Sequence, residues 1–164
     1  MVEQTTENRR VGGSIPPLGT IEVKMKHYYF AYGSNTNLRQ MEECCPNAVC
    51  IGRAFIDGYV FRWRDYADIE LDENEYVIGI LWEIDDTDLQ ALDIYEEFPE
   101  LYTRQKVRIN FEDRKLIGWT YIMVKQDFEI EPDKDYKNLV YDGYNHNNLS
   151  EEQLDNGLKR FIGE

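Results

Sequence analysis

Two adjacent glutamates at the end of a predicted helix are the residues of this chain best placed to move protons. Asp86 and Thr87 open a helix with Leu89 and Leu92 on one face, and Pro99 with the residue before it ends that helix, which puts Glu96 and Glu97 at its C-terminus. A carboxylate there faces the negative end of the helix macrodipole. Leu92, Tyr95 and Phe98 flank it and add desolvation, so dipole and burial act in the same direction. Both raise a carboxyl pKa toward neutrality, which is what a general acid/base requires. The competing reading is that both glutamates are ordinary solvated groups in a chain carrying 32 Asp and Glu.

A second group of residues offers a place for the reacting molecule. Residues 28–35, Tyr-Tyr-Phe-Ala-Tyr-Gly-Ser-Asn, form an apolar aromatic strand that breaks at Gly33 and runs into a helix start. Gly33 has the backbone freedom for a tight turn, and Asn35 is the expected N-cap of a helix over residues 36–44. Such a junction leaves N–H groups free to receive an anion or a carbonyl oxygen. Ser34 also invites a serine-hydrolase reading. Its possible histidine partners, His27 and His146, are scattered, and Tyr32-Gly33-Ser34-Asn35 lacks the second glycine of a nucleophile elbow. Tyr102, Tyr121 and Tyr136 are further candidates to present hydroxyls at a cavity rim. No metal-ligand spacing and no phosphate loop of Walker type is present, so no cofactor is expected.

Composition narrows the partners. A net charge of -14 opposes binding to nucleic acid or to an acidic membrane surface, since both depend on clustered Lys and Arg. A small-molecule or protein partner remains; oligomeric state stays open. The 3 cysteines, Cys44, Cys45 and Cys50, fit neither a disulfide framework nor a zinc site and read as free thiols of a reducing compartment. With no long apolar span and no signal-like N-terminus, a cytoplasmic location is expected.

The elements that must position these groups are mostly strands. Residues 1–24, aperiodic and marked by glycines and paired prolines, read as an N-terminal extension, and residues 25–164 as one domain. Strands are expected over 28–32, 48–56, 59–63, 76–83, 101–111 and 117–124, with turns at 72–74 and 112–115. Residues 127–135 form an acidic loop, a hint toward a cationic portion of a ligand. Helices are expected over 136–144 and 150–161, the second capped by Ser150. The result is an α+β domain, a small curled mixed sheet or barrel with short flanking helices.

In this order the segments resemble the γ-glutamylcyclotransferase-like family. Phe30 to Asn35 is similar to that family's opening signature and to the loop that cradles its substrate, which implies substrate-binding roles for Tyr32, Gly33, Ser34 and Asn35. Leu92, Asp93 and Glu96 look like its leucine–aspartate–x–x–glutamate segment, whose glutamate is the catalytic acid/base. Leu101, Tyr102, Thr103, Arg104 and Val107, then Trp119, Thr120 and Tyr121, are similar to the strands that follow, and Pro132 to Tyr136 with Gly143, Tyr144 and Leu149 to its C-terminal helix region. Two departures stand out. The family usually has glycine where this chain has Glu97, and serine where it has Asp133. The resemblance implies release of 5-oxoproline from a γ-glutamyl amide without metal or organic cofactor. A non-catalytic small-molecule-binding or interaction domain on the same scaffold is the alternative.

Overall fold

The structure, a computed structural model, describes residues 25–162; the expected N-terminal extension lies outside them. Five strands close into a barrel in the order β1-β3-β2-β4-β5. They are β1 (Lys26–Ala31), β2 (Val49–Arg64), β3 (Tyr66–Asp85), β4 (Tyr102–Phe111) and β5 (Arg114–Met123). Pairing is antiparallel throughout, except that β1 runs parallel to β5 and closes the barrel with Tyr29 opposite Trp119. Four helices flank it: α1 (Leu38–Cys44), α2 (Asp86–Tyr95), α3 (Lys134–His146) and α4 (Glu152–Lys159). The expected α+β barrel is therefore the observed fold.

Several boundaries differ from the sequence reading. The strands expected at 48–56 and 59–63 are one strand, β2, because Gly58 carries the break as a bulge at φ 88° and pairing resumes beyond it. The turn expected at 72–74 does not end a strand: β3 runs through it, and only the pairing skips residues 72–75, with Asp57 facing Tyr76, Tyr59 facing Leu71 and Gly58 alone between them. The N-cap of α1 is Asn37, whose side chain accepts from the N–H groups of Arg39 and Gln40; Asn35 instead lies in a 3-10 turn, Ser34–Thr36. The cap of α4 is Glu151, while the Ser150 hydroxyl accepts from the Glu152 N–H.

One buried network and one helix fix the parts that matter for a site. Arg64 and Asp68 are buried and paired at 2.8 Å, and Asp68 also accepts from the Met123 N–H and the Gln126 amide. This holds β3 beside β5 at Ala67, whose carbonyl accepts from the Tyr102 hydroxyl and whose N–H donates to Tyr136. Helix α3 clamps the 33–37 turn. Tyr144 donates to the Tyr32 carbonyl (2.5 Å), Asn147 to the Thr36 carbonyl (2.7 Å), and Asn37 to the Leu139 carbonyl (3.1 Å). Gly143 makes this approach possible, since a Cβ there meets Thr36 Oγ1 at 2.3 Å and the Asn37 nitrogen at 2.7 Å.

Gly143→Ala tests the clamp. Alanine is the better helix former by about 1 kcal/mol, but overpacking against the turn costs about 1–3 kcal/mol. The expected outcome is a net loss in urea-unfolding stability; a stabilised variant shows that the contact yields.

Candidate active site

Helix α2 delivers Glu96 to the centre of the molecule. The helix opens on a capping box, with Asp85 accepting from the Asp88 N–H and Asp88 accepting from the Asp85 N–H. It closes on a Schellman motif: Phe98 N–H reaches the Asp93 carbonyl and Glu97 N–H the Ile94 carbonyl. Glu96 is the C-cap, and Glu97 takes the left-handed position at φ 53°. The charge expected to disturb this end is carried in the conformation that glycine usually supplies, and Glu97 is exposed.

Asp93 ties the last turn of α2 to the barrel. It accepts from the Tyr121 hydroxyl at 2.6 Å and lies 3.1 Å from Arg104 Nε, which is not aligned for a hydrogen bond. The Arg104 guanidinium is held flat between the rings of Phe98, 5.0 Å away, and Trp119, 4.6 Å away.

Glu96 and all the substrate-contact candidates named from the sequence line one cavity. Glu96, Tyr32, Gly33, Ser34, Asn35, Tyr102, Tyr121 and Tyr136 surround about 20 Å³ of space, together with Tyr29 and Ala67. That is room for about one water molecule. Gly33 is needed for close approach, since a Cβ there stands 2.8 Å from Ala67 Cβ. Tyr29 and Ala67 were missed by sequence reasoning. In an aromatic run buried on both faces, alternation does not separate the side chain that meets the cavity from its neighbours.

The electrostatics of this space are one-sided. Glu96 is half-buried as a residue because the helix ends there, yet its side chain faces the cavity. Burial pushes its carboxyl up to about 8, and the Cys44 thiol group across the α1–α2 interface adds to the rise. No hydrogen bond to this carboxyl is made among the described residues, and no Lys or Arg lines the cavity. Burial also raises the hydroxyls of Tyr29, Tyr32, Tyr102 and Tyr136, which stay neutral. Three hydroxyls of the cavity wall are committed as donors: Tyr32 to the Tyr121 carbonyl at 2.5 Å, Tyr102 to the Ala67 carbonyl at 2.6 Å, and Tyr121 to Asp93.

Ser34 has no base. Its Oγ lies 2.9 Å from the Tyr95 hydroxyl, while His27 pairs with Asp86 at 2.6 Å and His146 lines a separate groove. The hydrolase arrangement is therefore not assembled. No residue of the acidic loop is among those lining the cavity; Glu129 pairs with Arg160 and Glu131 with Lys137. Among the described residues no helix is long and apolar enough to cross a membrane.

Known proteins share this architecture. The structure superimposes on the uncharacterized protein loc79017 from Homo sapiens with a TM-score of 0.72 at 22% identity, covering 79% of this chain and 85% of that one. It superimposes on a protein described as gamma-glutamyl cyclotransferase with a TM-score of 0.69 at 21% identity, covering 80% and 86%. YkqA from Bacillus subtilis matches with a TM-score of 0.69 at 24% identity over 85% of this chain, which spans only 55% of that protein. At these identities the likeness is one of fold. No curated protein sequence matches the chain. The profile of the family described as gamma-glutamyl cyclotransferase, AIG2-like, matches residues 29–141, most of the barrel and every cavity residue named above, and the chain belongs to that family.

Proposed function

We propose that this protein is a cyclotransferase that releases 5-oxoproline from a γ-glutamyl amide, with Glu96 as general acid/base. The observation that carries the reading is a desolvated carboxyl, raised to about 8, facing the 33–35 turn across one cavity. A γ-glutamyl amide contains its own nucleophile. Its α-amine attacks the γ-carbonyl carbon, a C–N bond closes the five-membered ring, and the original amide C–N bond breaks. The proton lost by the amine ends on the leaving nitrogen. Holding the chain folded makes this intramolecular, where effective molarities of about 10⁵–10⁸ M are accessible.

The Glu96 value suits both proton transfers. The α-ammonium of a γ-glutamyl group stands beside a free carboxylate and titrates somewhat above the ~8 of a peptide N-terminus; as the neutral amine attacks, a carboxylate whose pKa is raised to about 8 takes the proton released and returns it to the departing nitrogen. Backbone N–H groups of Gly33, Ser34 and Asn35 receive the substrate carboxylate or the developing oxyanion, an arrangement that acts through fixed dipoles. Tyr32, Tyr102, Tyr121 and Tyr136 wall the γ-glutamyl group. The products are 5-oxoproline and a free amine or amino acid.

A cavity of about 20 Å³ is too small for a γ-glutamyl group, which is the observation on the side of a binding or interaction domain. Entry of a γ-glutamyl group therefore requires the walls to part.

The deciding experiment is incubation with a panel of γ-glutamyl amines and γ-glutamyl amino acids, reading 5-oxoproline. The expected result is turnover by the wild-type chain, with kcat/KM rising as pH climbs to a plateau above about 8, and a loss of about 10²–10⁴ in Glu96→Gln. Binding without turnover establishes the alternative; full activity in Glu96→Gln overturns the mechanism.

Thermal unfolding gives a second, activity-independent check on Glu96. Its folded-state pKa lies above the ordinary carboxyl value, so its contribution to stability is whole below about 4.5 and is lost as pH rises to about 8. Glu96→Gln carries no such loss. The difference in Tm between variant and wild type is expected to grow in the variant's favour across that window. A pH-independent difference shows an ordinary exposed carboxylate.

A further inference from the structure

Asn35 presents a hydrogen-bond acceptor for which the folded protein supplies no donor. The residue is 2% exposed, and its Oδ1 is buried with no partner among the described residues. Elsewhere in the residue, Nδ2 donates to the Tyr29 hydroxyl at 3.0 Å, and the backbone carbonyl accepts from Trp82 Nε1 at 3.1 Å. A buried acceptor without a donor is costly, and the cavity is where a bound group can complete it. Asn35 lines the same small cavity as Glu96. Among the cavity's lining residues are thus a carboxyl and a residue with an unpaired carboxamide oxygen, and no Lys or Arg.

A neutral primary amine fits this pair. It has two N–H donors and one lone pair, so two acceptors that take the N–H groups also fix the direction of the lone pair. We propose that Asn35 Oδ1 and the Glu96 carboxylate together bind the α-amine of the γ-glutamyl substrate and aim its lone pair at the γ-carbonyl carbon, an inference that rests on the cyclotransferase reading. Glu96 takes one N–H proton as the C–N bond forms, while Asn35 keeps the other N–H throughout and takes no proton. Tyr29 sets the carboxamide: by accepting from Nδ2 it turns Oδ1 toward the cavity. This role belongs to the Asn35 side chain and is separate from the backbone N–H groups of the turn. It also restricts the substrate class to γ-glutamyl groups with a free primary α-amine.

The test is steady-state 5-oxoproline formation by wild type, Asn35→Leu, Asn35→Asp and Tyr29→Phe, on whichever panel member the wild type turns over. Inhibition by the matching glutaric monoamide, which lacks the α-amine, is measured alongside. Asn35→Leu is expected to lower kcat about 10²-fold, the scale of a misaimed nucleophile, and to bind the amine-free inhibitor as wild type does. Asn35→Asp restores an acceptor oxygen and is expected to recover part of kcat with its pH profile moved upward by the second carboxylate. Tyr29→Phe, which leaves the carboxamide in place but unpinned, is expected to fall between wild type and Asn35→Leu. It keeps the test decisive if Asn35→Leu does not fold. Full kcat in Asn35→Leu or Tyr29→Phe overturns the assignment of Asn35 and leaves the cyclotransferase reading standing. Equal weakening of substrate and amine-free inhibitor also overturns it, as the mark of a structural role. No turnover by wild type on any panel member removes both.

Discussion

The constraint on which this site depends is a carboxyl held out of water without a partner. Glu96 has neither a cation nor a hydrogen-bond donor within the described structure, and a donor to its charged form would pull its pKa back down. The tyrosines around it could supply that donor. They do not, because their hydroxyls are turned onto backbone carbonyls: Tyr32 onto Tyr121, Tyr102 onto Ala67. Tyr121 gives its proton to Asp93, three residues before Glu96, and not to Glu96 itself. Aromatic bulk desolvates the carboxyl while the polar tips are kept occupied elsewhere. The same hydroxyl bonds tie the end of β1 to β5, β4 to β3, and β5 to α2, so the arrangement that perturbs Glu96 also holds the barrel.

Much of this was legible because local rules were violated or obeyed in short windows. A charged residue at a helix C-terminus before Pro99, and an aromatic strand breaking at Gly33, are readable without any long-range information. The hairpin of β4 and β5 was equally plain from its alternation and its turn. What could not be read was which helix start follows Gly33: Asn35 and Asn37 are both good caps, and packing of α3 against Thr36 and Asn37 decides for Asn37. The merging of two expected strands into β2 depends on pairing with β3 on both sides of Gly58, a non-local fact. Tyr29 was invisible for a related reason. In a chain with 12 tyrosines, only closure of the barrel shows which of them meet.

Glu97 shows how a departure from a family's pattern can leave function intact in geometry while changing its energetic cost. Helices that end in a Schellman motif need a left-handed residue, and glycine adopts that conformation without strain. Glutamate at φ 53° carries a penalty of the order of 1 kcal/mol or more. The motif's two N–H bonds are nevertheless present, so the strain is borne by the surrounding contacts. Asp93 is the structural counterweight by position: its carbonyl accepts one of those bonds while its carboxylate accepts from Tyr121 and faces Arg104.

The two halves of the site are therefore mounted separately. The turn at 33–37 is pinned from outside by α3, through Gly143, Tyr144 and Asn147. Glu96 is pinned from the other side by Asp93, whose partners Arg104 and Tyr121 lie on β4 and β5. The strand that relates the mounts is β1, which leads into the turn and pairs with β5 through Tyr29 and Trp119. Tyr29 then touches both halves, lining the cavity beside Glu96 while receiving the Asn35 amide. A single register position in the closed barrel thus sets how far the carboxyl stands from the turn. Segments recognisable one at a time become a site only when that closure is made.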